Sequence, residues 1–119
     1  MSGVLDRFPD RPLALAEIAV APLAEFPPGS TKIVELDFVS VGVYNCDGQL
    51  LAIEDRCSHD DGPLCEGDWD HDECRVTCPR HGSQFDIRTG RPLSLPAFEP
   101  VATFPVRVDE NGIVKVEVA

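Results

Sequence analysis

The chain predicts an all-β domain on three observations. Short runs rich in Val, Ile and Phe recur along it, and the last of them, Val114-Lys115-Val116-Glu117-Val118, alternates apolar with polar. Dipeptides that accept positive φ, Asp47-Gly48 and Asn111-Gly112, stand between such runs where a tight hairpin would turn. No stretch carries the periodicity of a long helix.

Taken in order, residues 1–12 read as a loosely held arm with two prolines and mixed charge. Leu13 to Ile18 is expected as a first edge strand, and Ala21 to Phe26 as a short helical turn ended by Pro27-Pro28-Gly29. The β pattern is predicted over Ile33-Val34 and then Phe38 to Tyr44, with Val39, Val41 and Val43 on one face. Leu50 to Ile53 returns from the Asp47-Gly48 turn and delivers the chain to Cys57. Further strands are expected at Cys74 to Thr77 and Ser83 to Ile87, with Thr89-Gly90 as the turn after them. Arg91 to Pro100 holds three prolines and little periodicity, which predicts a loop stiffened by fixed φ. Ala102 to Val108 and Gly112 to Val118 should form a closing hairpin. The 119 residues suffice for one domain, expected over 13–119.

Composition narrows the function. Hydrophobic content of 43% argues against disorder. No apolar run approaches the roughly 18 to 20 residues that span a bilayer. The start, MSGVLDRFPDRP, lacks a basic segment followed by an apolar block, so a cytoplasmic, soluble protein is expected; it is also expected to be a monomer. A net charge of −11 counts against a nucleic-acid partner. Nine carboxylates and one arginine lie between Glu54 and Glu73, whereas Arg75 to Arg91 holds four arginines and only Asp86. Such an acidic run can steer a basic partner or simply be solvated loop.

Each stretch holds one Cys/His pair, Cys57-Ser58-His59 in the acidic one and Cys78-Pro79-Arg80-His81 in the arginine-bearing one. Each places one thiolate and one imidazole in a short turn, and two such turns facing each other would supply two sulfurs and two nitrogens, the donor set of zinc or an iron–sulfur centre. The C-x-H and C-x-x-H spacings resemble those of Rieske [2Fe-2S] proteins. Gly62-Pro63-Leu64 after the first pair and Gly82, Phe85, Asp86 and Thr89-Gly90 after the second carry the same resemblance. Its size and loops look like the ferredoxin component of bacterial aromatic-ring-hydroxylating dioxygenase systems.

The resemblance implies an antiparallel sandwich or barrel base with a cluster-binding subdomain inserted at about 55–95. It implies one [2Fe-2S] cluster held by Cys57, His59, Cys78 and His81, with the histidines at the exposed tip where electrons leave. Two ferric ions, two sulfides and two thiolates sum to zero, so this cluster accepts an electron more readily than a four-cysteine one. Gly62 and Gly82 would let the loops turn beside the metal, with Pro63 and Pro79 stiffening them. Leu64, Phe85, Leu93, Leu95 and Pro96 are candidates to shield it. High-potential relatives have a serine two residues after the second histidine and a tyrosine two further on. Ser83 fills the first place and Phe85 the second, which predicts a low-to-intermediate potential.

The implied activity is one-electron carriage from a flavin-dependent reductase to a terminal oxygenase, with no catalytic site of its own. A free-standing Rieske ferredoxin of iron–sulfur assembly or another redox pathway, and a structural zinc module, are the alternatives. Relatives in respiratory cytochrome complexes carry an additional cysteine in each ligand loop; Gly62 and Arg80 stand there instead. Cys46, Cys65 and Cys74 are left over, an odd remainder that argues against a disulfide framework and predicts small buried or loop residues. His71 is expected to be a solvated loop residue, and Trp69 a packing anchor.

Overall fold

The computed structural model describes residues 16–58 and 62–118. The expected arm at 1–12 and the start of the first strand lie outside them, as does His59. Among the described residues, ten strands form three antiparallel sheets. β1 (Ala16–Pro22), β9 (Val106–Val108) and β10 (Ile113–Val118) make one sheet, with β10 central. β2 (Thr31–Glu35), β3 (Ser40–Cys46), β4 (Gln49–Glu54) and β8 (Thr103–Phe104) make the second. β5 (Trp69–Asp70), β6 (Arg75–Thr77) and β7 (Gln84–Asp86) make a small third one.

Residue alternation explains the layering. Val41 and Val43 of β3 and Ala52 of β4 meet Val114, Val116 and Val118 of β10 in one apolar core. Tyr44 and Cys46 of β3 and Ile53 of β4 point the other way, into a second core shared with Leu64, Val76, Phe85 and Ile87. Strand β3 is therefore buried on both faces of the β2-β3-β4-β8 sheet, every residue from Val41 to Cys46 being buried. Asp47 and Gly48, at φ 55 and 102, make the β3–β4 turn. Asn45, buried, closes that turn by accepting from Gly48 N–H at 2.7 Å and donating to the Phe26 carbonyl at 2.8 Å. The Val39, Val41, Val43 face is as expected, although β3 starts at Ser40 and Phe38 is exposed in the turn.

Three expectations need correction. The helical turn spans only Leu23–Glu25, because Ala21 and Pro22 remain paired to β10. The closing hairpin loses its first half: Thr103 and Phe104 pair with Ile53 and Ala52, whereas Val106 to Val108 pair with Val116 to Val114. Pro105, with no N–H for a ladder, stands where the chain changes sheets. Finally, β5 lies in a stretch read only as acidic loop; Trp69 pairs with Val76 and Asp70 with Arg75. Trp69 is an anchor as expected, its ring edge-on to Tyr44 at 4.8 Å, and His71 is exposed.

Candidate metal centre

The first Cys/His loop leaves β4 at Asp55, whose N–H donates to the Ser40 carbonyl at 2.8 Å. The Asp55 carboxylate then accepts from Leu64 N–H at 2.9 Å and Cys65 N–H at 2.7 Å, drawing the two ends of the loop together. Within it, Cys57 N–H donates to the Gly62 carbonyl at 2.8 Å. Cys57 and Gly62 are buried and Pro63 is exposed. Nothing in the residue pattern signals this clamp, since an aspartate before a ligand loop reads as one more surface charge.

The second loop is the β6–β7 hairpin. Cys78 N–H donates to the Ser83 carbonyl at 2.7 Å, and Gly82 N–H to the Cys78 carbonyl at 3.0 Å. Gly82 has φ 77, and a Cβ there would meet no protein atom within 4 Å. Its requirement is the left-handed conformation and not a steric collision with the chain. Cys78 is buried, whereas Pro79, Arg80 and His81 are exposed at the tip.

The two loops adjoin. Thr77 N–H donates to the Asp68 carbonyl at 2.8 Å, and a Cβ on Gly67 would overlap the Thr77 carbonyl oxygen. Cys57, Cys78, Leu64 and Phe85 share one buried apolar cluster. Among the described residues no three His, Cys, Asp or Glu side chains gather closely enough to hold a single metal ion. A donor set divided two and two over a pair of irons needs no such gathering.

The proline stretch packs along the third side. Leu93 N–H donates to the Gln84 carbonyl at 2.6 Å, Gln84 N–H to Ser94 Oγ at 2.9 Å, and Ala97 N–H to Ser83 Oγ at 3.1 Å. Ser83 is fully buried, and because its oxygen accepts from Ala97, its proton is left to donate elsewhere. The Leu95–Pro96 peptide is cis. Leu64 and Phe85 are wholly buried, in line with a shielding role, and Pro96 is half-buried. Leu93 and Leu95 are 51% and 77% exposed, unlike Leu64 and Phe85.

Beneath the site, Cys46 and Cys74 form a disulfide, which corrects the expectation of unpaired cysteines; Cys57, Cys65 and Cys78 lie outside it and are buried. Cys65 sits so close to Gly42 that a Cβ there would overlap its sulfur. Burial pushes the Cys65 thiol up to about 12, and burial likewise raises the Tyr44 hydroxyl. Asp70, at the end of β5, is held below the usual carboxylate range by the N–H groups of Glu73 and Asp72.

Comparison with known proteins agrees with this arrangement. The family model of the Rieske [2Fe-2S] domain matches residues 16–105. A relative named 3-phenylpropionate/cinnamic acid dioxygenase ferredoxin subunit, from Photorhabdus laumondii, is 35% identical over 99 residues, covering 83% of this chain and 92% of the relative. The protein of the same name from Escherichia coli is 36% identical over 96 residues, covering 81% and 89%. Among solved structures, a chain in the complex of reduced oxygenase and oxidized ferredoxin in carbazole 1,9a-dioxygenase has a TM-score of 0.77 at 34% identity, covering 84% and 91%. The ferredoxin of carbazole 1,9a-dioxygenase from Nocardioides aromaticivorans has a TM-score of 0.75 at 32% identity, covering 84% and 95%. The chain belongs to the Rieske [2Fe-2S] domain family.

Proposed function

We propose that this chain is the ferredoxin of a Rieske-type aromatic dioxygenase system, taking one electron from a flavin-dependent reductase and passing it to a terminal oxygenase. One observation carries this reading. The relatives it resembles over nine-tenths of their own length are named ferredoxin subunits, so the similarity covers a whole small carrier and not one segment of a large enzyme. In this reading the chain is an electron-transfer component without a substrate site. It works as a cytoplasmic monomer, and no helix among its described residues is long and apolar enough to cross a membrane.

Cys57, His59, Cys78 and His81 are the proposed ligands, carried by residues of about 55–95. The donor set suits a Rieske centre: two buried thiols open two adjoining loops, and an exposed imidazole stands at the tip of one of them. When bound, the cluster supplies reversible one-electron storage. Around it, Leu64 and Phe85 keep water from the sulfur side, and Asp55 holds the first loop closed. Ser83 offers a buried hydroxyl proton, and Gly82 lets the second loop bring His81 to the surface.

The test is direct. Purified protein should be red-brown, bleach when a flavin reductase and reduced nicotinamide are added, and regain colour with a dioxygenase. Full bleaching with no reoxidation by any oxygenase would point to another acceptor, and a colourless iron-free protein would remove the reading. His59→Ala and His81→Ala should each abolish the Rieske spectrum; its retention would move the ligands elsewhere.

A further inference from the structure

Gly42, Tyr44 and Cys46 alternate along one face of β3, and each meets the segment that runs from the first ligand loop into β6. Gly42 meets Cys65, Tyr44 meets Trp69, and Cys46 is bonded to Cys74. The first two contacts are van der Waals and the third is covalent. Cys46 ends β3 and Cys74 precedes β6, with Cα atoms 5.5 Å apart and a sequence separation of 28. Cys74 is further tied into the small sheet, since its carbonyl accepts from Ile87 N–H at 2.9 Å and its N–H donates to the Asp70 carbonyl at 2.7 Å. Arg88 bridges the same joint, donating to Gln49 Oε1 at 3.0 Å and to the Glu73 carbonyl at 3.4 Å. The bond therefore lies where the base sheet and the β5–β7 unit meet.

We propose that Cys46 and Cys74 are a second redox site of this chain, a dithiol that small disulfides of the glutathione class convert into a covalent staple between the β5–β7 unit and the base sheet. One thiolate attacks the small disulfide, forming a mixed disulfide and releasing one thiol. The other cysteine's sulfur then displaces the second thiol as the Cys46–Cys74 bond forms. Two cysteine thiols are oxidised, one small disulfide is reduced to two thiols, and the two protons pass to the departing thiolates. The sulfurs sit on residues only 1% and 0% exposed, so exchange runs through a loosened chain. Once closed, the bond ties the end of β3 to the residue before β6, and it reopens through the same loosening.

The proposal rests on the Rieske reading only in taking the β5–β7 unit to carry ligands; the couple itself is assayed independently. Holo-protein is equilibrated anaerobically in glutathione buffers of graded oxidation, quenched with an alkylating reagent, unfolded and mapped by mass spectrometry. The expected result is a linked Cys46–Cys74 peptide pair, two hydrogens lighter, that opens reversibly in reducing buffer. Oxidised protein should melt roughly 10 °C above the reduced form. Cys46→Ser/Cys74→Ser should melt with the reduced form and no longer respond to the buffer. The starting visible spectrum should be the same in all three, with the unstapled forms bleaching sooner on heating. Separate alkylation of Cys46 and Cys74 in oxidising buffer, or equal melting of oxidised and reduced protein, overturns the proposal. The reduced wild-type arm needs no substitution, so a variant that fails to fold leaves that comparison standing. A colourless chain with an intact couple would instead count against the cluster.

Discussion

Gly42→Ala tests the seam between base sheet and ligand-bearing unit at its narrowest point. A Cβ at this position would stand 2.7 Å from Cys65 Cβ and 3.1 Å from Tyr44 Cε1, and would overlap the Cys65 sulfur. Carbon atoms rest at about 3.5–4.0 Å, so the added methyl must open the seam by roughly 1 Å. Neither neighbour has room to yield, since Cys65 is 4% exposed and Tyr44 fully buried. Overpacking of this kind costs about 1–3 kcal/mol. Replacing a strand glycine returns about 0.5–1 kcal/mol of unfolded-state entropy. The net loss is about 1–2 kcal/mol, or about 4–8 °C in Tm for a domain of this size. Scanning calorimetry of the oxidised holo-protein at one fixed scan rate reads it. Cys65→Gly removes both the sulfur and the Cβ that clash, so the double variant should be more stable than the sum of the singles by about 1–2 kcal/mol. A Gly42→Ala protein as stable as the parent, or strictly additive singles, would refute the steric reasoning.

Other outcomes follow from the same packing. Phe85→Ala empties a wholly buried ring site between the two ligand loops and should cost about 3–5 kcal/mol in denaturant unfolding; a loss below about 1 kcal/mol would mean the site collapses freely. Alkaline pH should weaken the fold through Cys65. Its folded pKa of about 12 exceeds the unfolded value of about 8.5, so the stability tied to the neutral thiol is complete below about pH 8.5 and drains as pH rises toward about 12. Cys65→Ala should therefore show a shallower fall in Tm between about pH 8.5 and 10.5 than the parent, and parallel curves would remove the thiol from the account. Ser83→Ala should lower the reduction potential, since the hydroxyl proton that Ala97 leaves free is lost. An unchanged redox titration would show that this proton points away from the sulfurs.

Much of the fold was legible because it is written in short-range chemistry. Alternation in Val114 to Val118 and the Asp47-Gly48 turn are local signals, and the structure honours both. The sheet change at Pro105 was not legible: the strand propensity of Ala102 to Val108 is continuous, and only tertiary pairing decides which half joins which sheet. β5 escaped because the residues around Trp69 are almost all acidic, and its partner is chosen by Tyr44 packing beneath. The Cys/His spacing carried the family reading, which the comparison with known proteins supports, while His59 lies outside the described residues. The exposure of Leu93 and Leu95 was not legible, because apolar character does not fix side-chain direction in a proline-rich loop. The Cys46–Cys74 pairing was out of reach, since an odd set of cysteines specifies no connectivity.

β3 answers to two masters. Its odd positions, Val41 and Val43, are constrained by β10, and its even ones, Tyr44 and Cys46, by the layer that bears the second loop. Substitutions at even positions can thus retune how firmly that layer is seated while the sandwich behind keeps its grip, and odd ones can harden the scaffold with the redox face untouched. A designer seeking a tougher carrier with unaltered electron chemistry would start on the odd side.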